Sequence, residues 1–214
     1  MEESHVNVTI MISSLSRIHI FLNVIVGMSI LPKFVASRQN IITKNPSQIQ
    51  KYINKGSTPE IMHFILKGSG KGPECEHYAK YCFPSLGLRL QDDTNKSGYD
   101  HIHIPSKLRV EQKTAGNWDV EDNSWTWQHI EPKHNWHFLL LCGIGYHEIH
   151  WFFLNRTKFN ELCDKNVIKR QGDADRNSYQ GWWFNYTNAK DDLIEITSNE
   201  HLDLLSKRIA PLKI

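Results

Sequence analysis

The run Trp136-His137-Phe138-Leu139-Leu140-Leu141-Cys142-Gly143-Ile144 constrains this chain more than any other segment. It has the length of a strand and almost no polar alternation, so both of its faces must be covered. Such a strand belongs inside a sheet with further layers on each side. His150 to Leu154 reads as another strand, and Thr157 to Leu162 begins a further helix. Upstream, Ser57-Thr58-Pro59-Glu60 reads as a helix start, with Ser57 as cap and Pro in the first turn. That helix carries Ile61, Phe64 and Ile65 and stops at Gly68. Gly68 to Gly72 reads as a linker without the spacing of a phosphate loop. A second helix is expected from Pro73 to just before Pro84, strands over Tyr99–Ile104 and Lys107–Thr114, and a short helix over Trp125–Glu131. The order αββαββα predicts an α/β fold with a mixed central β-sheet flanked by helices. Cys163 to Asn188 reads as polar, aromatic and loop-like, and a last helix is expected over His201–Lys207.

A chain of 214 residues supports one sizeable core. The expected layout is a single domain over 1–214, with an N-terminal helical and basic region 1–72 and a C-terminal polar region 163–214. The net charge of +2 is too small to diagnose a nucleic-acid partner. Its distribution says more: between Lys33 and Lys71 seven Lys/Arg stand against Glu60 alone, a local excess of +6 suited to phosphates. An ordinary solvated surface would look the same. Four cysteines without a Cys-x-x-Cys pair argue against a zinc ribbon, and Cys142 inside the apolar run reads as a buried thiol. Free thiols suit a reducing intracellular, cytoplasmic setting, which makes the sequons at Asn7, Asn155 and Asn185 chance matches. The apolar segment Ile18–Leu31 follows Glu2-Glu3, is shorter than a bilayer span and contains Asn23. A buried or dimer-forming helix is the expectation there, and no membrane partner.

The chemistry is carried by the two strands around Pro105-Ser106. Side chains alternate along a strand, so Arg109, Glu111 and Lys113 share one face while Leu108 and Val110 share the other. If the turn is a hairpin, residues whose numbers sum to 211 are opposed, and Asp100 faces Glu111. Opposed like charges destabilise a sheet, and a hard divalent cation between them removes the repulsion. Such a cation polarises a phosphoryl oxygen and acidifies water, while Lys113 can hold that water and stabilise developing charge. A solvated strand face is the bland alternative, because Glu-x-Lys alone is common.

Gly98-Tyr99-Asp100 followed by Val110-Glu111-Gln112-Lys113-Thr114 resembles the Asp…Glu-x-Lys signature of the PD-(D/E)XK nucleases, with Tyr99 where the name has Pro. Trp127-Gln128-His129-Ile130, then Phe138 to Leu141 and Trp151-Phe152-Phe153, resemble the context found in type II restriction endonucleases. The helix Gly72 to Ala79 resembles the one that often brings another acid, here Glu74 or Glu76, to such a site. The resemblance covers roughly residues 70–165. It implies a restriction-endonuclease-like fold and Mg²⁺-dependent cleavage of double-stranded DNA that leaves 5′-phosphates. The expected catalytic residues are Asp100, Glu111, Lys113 and Glu76, with Asp100, Glu111 and the carbonyl of Gln112 around the metal.

Two other classes remain open. A structure-specific repair or recombination nuclease would carry the same site. A non-catalytic DNA-binding protein that kept the fold would carry the same surface without metal dependence. Lys44, Lys51 and Lys55 are the expected phosphate contacts. Lys169, Arg170, Gln171, Arg176, Asn177 and Gln180 are the residue types that read base edges, although an ordinary surface loop has the same composition. A palindromic site would call for a homodimer. His147-Glu148-Ile149-His150 lacks the spacing of a zinc-protease helix, and His101 and His103, on the face away from Asp100, are expected in packing or towards DNA.

Overall fold

In the computed structural model the described residues are 46–88, 98–119, 121–172 and 180–209. The chain divides into two compact units, Met1–Pro46 and Ser47–Ile214, and the second is the one described here. The apolar segment Ile18–Leu31 lies outside the described residues.

Strand β5 (Phe138–Ile144) is buried at every position, as its sequence requires. It sits inside a six-stranded sheet of order β1-β2-β3-β5-β6-β9. The other members are β1 (Leu86–Leu88), β2 (His101–His103), β3 (Leu108–Gly116), β6 (Ile149–Asn155) and β9 (Ile194–Glu195). β3 and β5 run parallel and the remaining pairs antiparallel, so the sheet is mixed. Helices α1 (Pro46–Asn54), α2 (Pro59–Leu66), α3 (Lys71–Cys82), α4 (Arg156–Asp164), α5 (Tyr186–Ala189) and α6 (Asn199–Lys207) complete an α/β architecture.

Parallel neighbours need a crossover, usually a helix. Here the crossover from β3 to β5 carries a strand instead, β4 (Thr126–Ile130), where a short helix was expected. β4 belongs to a second sheet of order β4-β8-β7, with β8 (Trp182–Asn185) and β7 (Lys169–Arg170). The physical reason is a bulge. Trp125 and Trp127 point inward with strand period, then the register shifts between Trp127 and Ile130, and His129 takes φ +57°. Ile130 is thereby turned inward as well, and the apolar positions lose the strand period that would have revealed them. The same second sheet corrects the loop expected over Cys163–Asn188, which contains β7, β8 and α5.

The two faces of β5 serve different layers. Leu139 and Leu141 share a core with Ala115, Phe152 and Leu154 of the main sheet, Trp125, Trp127 and Phe184 of the second layer, and Phe159 and Leu162 of α4. The indole N–H groups of Trp125 and Trp127 donate to the Ile144 and Cys142 carbonyls at 3.1 and 3.0 Å, so the buried rings leave no donor unpaired. Gly143 is required by this packing, because a Cβ there would stand 2.5 Å from the Trp125 ring. On the opposite face, Tyr78 and Phe83 pack their rings against Trp151. Tyr52 of α1 accepts the Asn117 N–H at 2.7 Å and donates to the Ile144 carbonyl at 2.6 Å, tying α1 across the ends of β3 and β5.

The helix ends differ in detail from expectation. Thr58, not Ser57, caps α2: its hydroxyl accepts the Ile61 N–H at 3.4 Å and Pro59 opens the helix. The Gly68–Gly70 segment is a 3₁₀ turn running directly into α3, which therefore starts at Lys71 rather than Pro73. Asn155 and Asn185 cap α4 and α5 by accepting the N–H groups of Lys158 and Asn188. Among the described residues no helix is long and apolar enough to cross a membrane.

Candidate active site

β2 and β3 form the hairpin with the expected register: His101 opposes Val110, Ile102 opposes Arg109 and His103 opposes Leu108, each pair summing to 211. The turn is wider than Pro105-Ser106 alone. It takes residues 104–107, with Lys107 at φ +59°. Asp100 lies just before β2 rather than within it. Its N–H donates to the Val110 carbonyl at 2.8 Å, and its carboxylate accepts the Gln112 N–H at 2.7 Å. A side-chain oxygen thus takes up the hydrogen bond where the backbone ladder ends. Gly98 sets this approach: it has φ +62°, and a Cβ there would stand 2.1 Å from the His134 ring.

Extending the register sets Asp100 opposite Glu111, on the face that also carries Arg109 and Lys113. Glu111 is only 5 % exposed, and Lys113 Nζ lies 2.5 Å from its Oε1. Helix α3 contributes Glu76 and not Glu74. Glu74 is held at the surface by His63 and Lys67, at 3.1 and 3.3 Å. Glu76 is half-buried; burial and then the Asp100 charge raise its carboxyl, with Lys113 pulling the other way. The same forces act more strongly on Glu111. Burial first, and the Asp100 charge second, push it up to about 7 against the pull of Lys113, and Glu76 adds a smaller push. Glu76, Asp100, Glu111 and Lys113 therefore form one electrostatic group drawn from α3 and from both sides of the β2–β3 hairpin.

Among the described residues no three His, Cys, Asp or Glu side chains gather closely enough to hold a metal ion by themselves. The donor set here is the opposed pair Asp100 and Glu111, with the backbone of Gln112 between Glu111 and Lys113. That set still fits a hard cation which keeps several waters and takes one or two carboxylates. The buried Glu111 carboxyl, raised by burial and by the Asp100 charge, gains from an added positive charge. The side chain of Gln112 faces away, and its Oε1 accepts the His101 Nε2–H at 2.8 Å.

His101 and His103 are both fully buried, so they belong to packing and not to a DNA-facing surface. His103 bridges Ser106 and Asp203, at 2.6 and 2.8 Å, and so docks α6 on the hairpin. Of the expected DNA contacts, Lys44, Arg176 and Asn177 lie outside the described residues. Lys51 donates to the Trp118 carbonyl, and Lys55 is exposed over the Tyr146 ring, 5.5 Å from its centre. Trp118 is seven positions beyond Glu111, so these lysines stand on the order of 20 Å from the acids. Lys169 and Arg170 are exposed on β7, and Gln171 and Gln180 pair through backbone hydrogen bonds at the end of the β7–β8 hairpin.

Two residues near the acids carry no role in the sequence reading. Arg109 shares the strand face of Glu111. His137, buried at 7 % exposure, meets it across the β3–β5 junction: each backbone N–H of the pair finds an acceptor on the other residue. Only the parallel pairing of two distant segments brings them together, and local periodicity carries no signal for that. No family model matches the chain, and no curated protein matches it.

Proposed function

We propose that this chain is a Mg²⁺-dependent nuclease of restriction-endonuclease-like fold that hydrolyses phosphodiesters of double-stranded DNA, in the manner of a sequence-specific type II enzyme. The observation that carries the reading is the placement of Asp100 opposite Glu111 with Lys113 on the same face, at the point where the β2–β3 ladder stops. Mg²⁺ held by Asp100, Glu111 and the Gln112 carbonyl would supply Lewis acidity to the phosphate and to an attacking water. Asp100 is pre-oriented for such a task by its bond from the Gln112 N–H. Lys113, once drawn from Glu111 towards substrate, places an ammonium where negative charge builds on the phosphate. Glu76 adds an acid from α3 that can orient water or a second cation. Lys51 and Lys55 would contact the phosphate backbone, and the β7–β8 hairpin, with Lys169, Arg170, Gln171 and Gln180, would supply base readers. A homodimer would match a palindromic target.

The test is incubation of the purified full chain with plasmid DNA, with and without Mg²⁺. Discrete Mg²⁺-dependent fragments support the type II reading, and a metal-dependent smear supports a nuclease without sequence preference. Tight binding with no cleavage in either condition would replace the enzyme with a DNA-binding protein.

A further inference from the structure

The His137 imidazole is oriented by its own strand junction. Its Nδ1 lies 2.9 Å from the Arg109 backbone nitrogen and accepts that N–H. An Nδ1 used as an acceptor carries no proton, so the neutral ring carries its proton on Nε2. That Nε2–H faces the Arg109 guanidinium, whose terminal nitrogen is 3.5 Å away. Both groups are donors, so the contact is not a hydrogen bond between them. Among the described residues these two donors face one another with no acceptor between them. The Arg109 Nε is buried and has no hydrogen-bond partner among the described residues either. No carboxylate pairs at contact distance with Arg109 among the described residues.

A second guanidinium, that of Arg156, lies beside His137, with the Glu111 carboxyl within electrostatic reach of it. Arg156 donates its backbone N–H to the His137 carbonyl at 2.9 Å. Its guanidinium lies 3.4 Å from the centre of the Trp136 ring and donates to the carbonyls of Pro132, His134 and Trp136. Burial first, and then the neighbouring charges of Arg109 and Arg156, depress the His137 imidazole and keep it neutral. A buried donor without an acceptor costs on the order of 1–3 kcal/mol. An oxyanion that accepts from His137 Nε2–H and from the Arg109 fork would satisfy all of them at once.

We propose that Arg109 and His137 form a binding subsite for a tetrahedral oxyanion, a phosphate group, beside the Asp100–Glu111–Lys113 cluster. This deepens the nuclease reading and rests on it for the identity of the substrate. Arg109 and Glu111 are two residues apart on one strand face, about 6.6 Å along the strand. A sugar-phosphate backbone crossing that face would place one phosphate at the acids and the next at Arg109. The acids are the place for the reacting phosphate, and Arg109 with His137 would hold its neighbour in position.

The experiment uses metal-free full-length protein and inorganic phosphate as the probe. Histidine ring ¹⁵N spectra follow the His137 Nε2–H resonance, identified by its loss in His137→Asn. Phosphate should shift this resonance saturably. Arg109→Gln should weaken the binding by roughly tenfold, the loss of one charge-assisted interaction. His137→Asn should weaken it comparably by calorimetry while the fold is kept, because the Asn carbonyl can still accept the Arg109 N–H. A resonance that does not respond to phosphate overturns the subsite. So does unchanged affinity in both variants. Glu111→Gln should bind phosphate at least as tightly as the parent. A protein that binds phosphate here but never cleaves DNA would retain the subsite and lose the nuclease reading. DNA cleavage without a phosphate response at His137 would do the reverse.

Discussion

Two hairpins of the main sheet are built on opposite terms. β5 and β6 pair over seven consecutive positions, from Phe138 opposite Asn155 to Ile144 opposite Ile149, and nearly every residue is buried. β2 and β3 pair over three, and then a carboxylate replaces the backbone. The first hairpin uses its side chains for packing and its backbone for a full ladder. The second gives up ladder bonds and carries a buried acid with a half-buried ammonium and arginine on one face. Charge in a sheet interior costs free energy, and the regular hairpin beside it is what holds β3 in place despite that cost. Function is therefore to be sought where pairing stops, not where it is most complete.

The sharpest way to break this comparison is to remove the charges of the short hairpin one at a time. Asp100→Asn and Glu111→Gln should each lower Mg²⁺-dependent cleavage by about 10²–10³ or more while DNA binding persists. Lys113→Ala should lose cleavage to a similar degree and keep metal binding. The check is cleavage rate measured beside DNA affinity for each variant. If Glu111→Gln and Lys113→Ala cut at the parent rate, the short hairpin is not the active site.

The long hairpin should fail in the other currency, stability. A methyl at Gly143 would meet the Trp125 ring at 2.5 Å, and both rings beneath it, Trp125 and Trp127, are fully buried. Gly143→Ala should destabilise by about 1–3 kcal/mol through overpacking. Gly87→Ala, in β1, meets its nearest neighbour at 3.4 Å and should change far less. Thermal unfolding of the two variants decides it. Equal melting temperatures would mean that the second sheet yields easily and that the Trp125 contact constrains little.

The legibility of the two hairpins in the sequence follows the same division. β5 was readable because complete burial leaves an unbroken apolar run. The 211 register was readable because alternation fixes which residues share a face, and one turn fixes which are opposed. β4 was not readable: the bulge at His129 breaks the period on which a strand assignment depends. α1 was not readable either, since its deep anchor is Tyr52, held by hydrogen bonds to Asn117 and Ile144 that no local pattern records. Within the candidate site, spacing alone is enough to set Asp100, Glu111 and Lys113 on one face. The helix before them offers Glu74 as well as the expected Glu76, and only the ion pairs with His63 and Lys67 show that Glu74 is held elsewhere.

The electrostatic strain at Glu111 offers a third, smaller effect. Its carboxyl sits at about 7 in the folded protein, above the ordinary carboxylate value, because burial and Asp100 oppose ionisation. The folded state then binds this proton more tightly than the unfolded chain does. Its contribution to stability is present at low pH and is lost as pH rises from about 4.5 through about 7. Metal-free protein should therefore lose part of its stability across that window, and Glu111→Gln should flatten the loss. Denaturant unfolding at a series of pH values in chelator is the measurement. A decline of equal depth in the variant would assign the slope to other groups.

The smallest expected effect concerns the surfaces that flank both hairpins. Lys55 is exposed with its ammonium over the face of Tyr146, where it is available to a phosphate. Lys55→Gln should weaken binding to every DNA sequence and reduce the dependence of log affinity on log salt by about one unit of slope. Lys51 already donates to the Trp118 carbonyl, so Lys51→Gln should reduce the slope less and cost some stability of the β3–β4 connection. At the β7–β8 hairpin the outcome should be different in kind. Gln180 is exposed while the Gln171 side-chain oxygen is buried without a partner, so Gln180 is the better placed of the two to meet a base. Gln180→Ala should alter preference among DNA sequences and leave the salt slope unchanged, because base contacts carry sequence information and phosphate contacts do not. Salt titrations on two unrelated duplexes separate the cases. If Gln180→Ala weakens both duplexes equally and Lys55→Gln changes their ratio, the roles of the two surfaces are reversed.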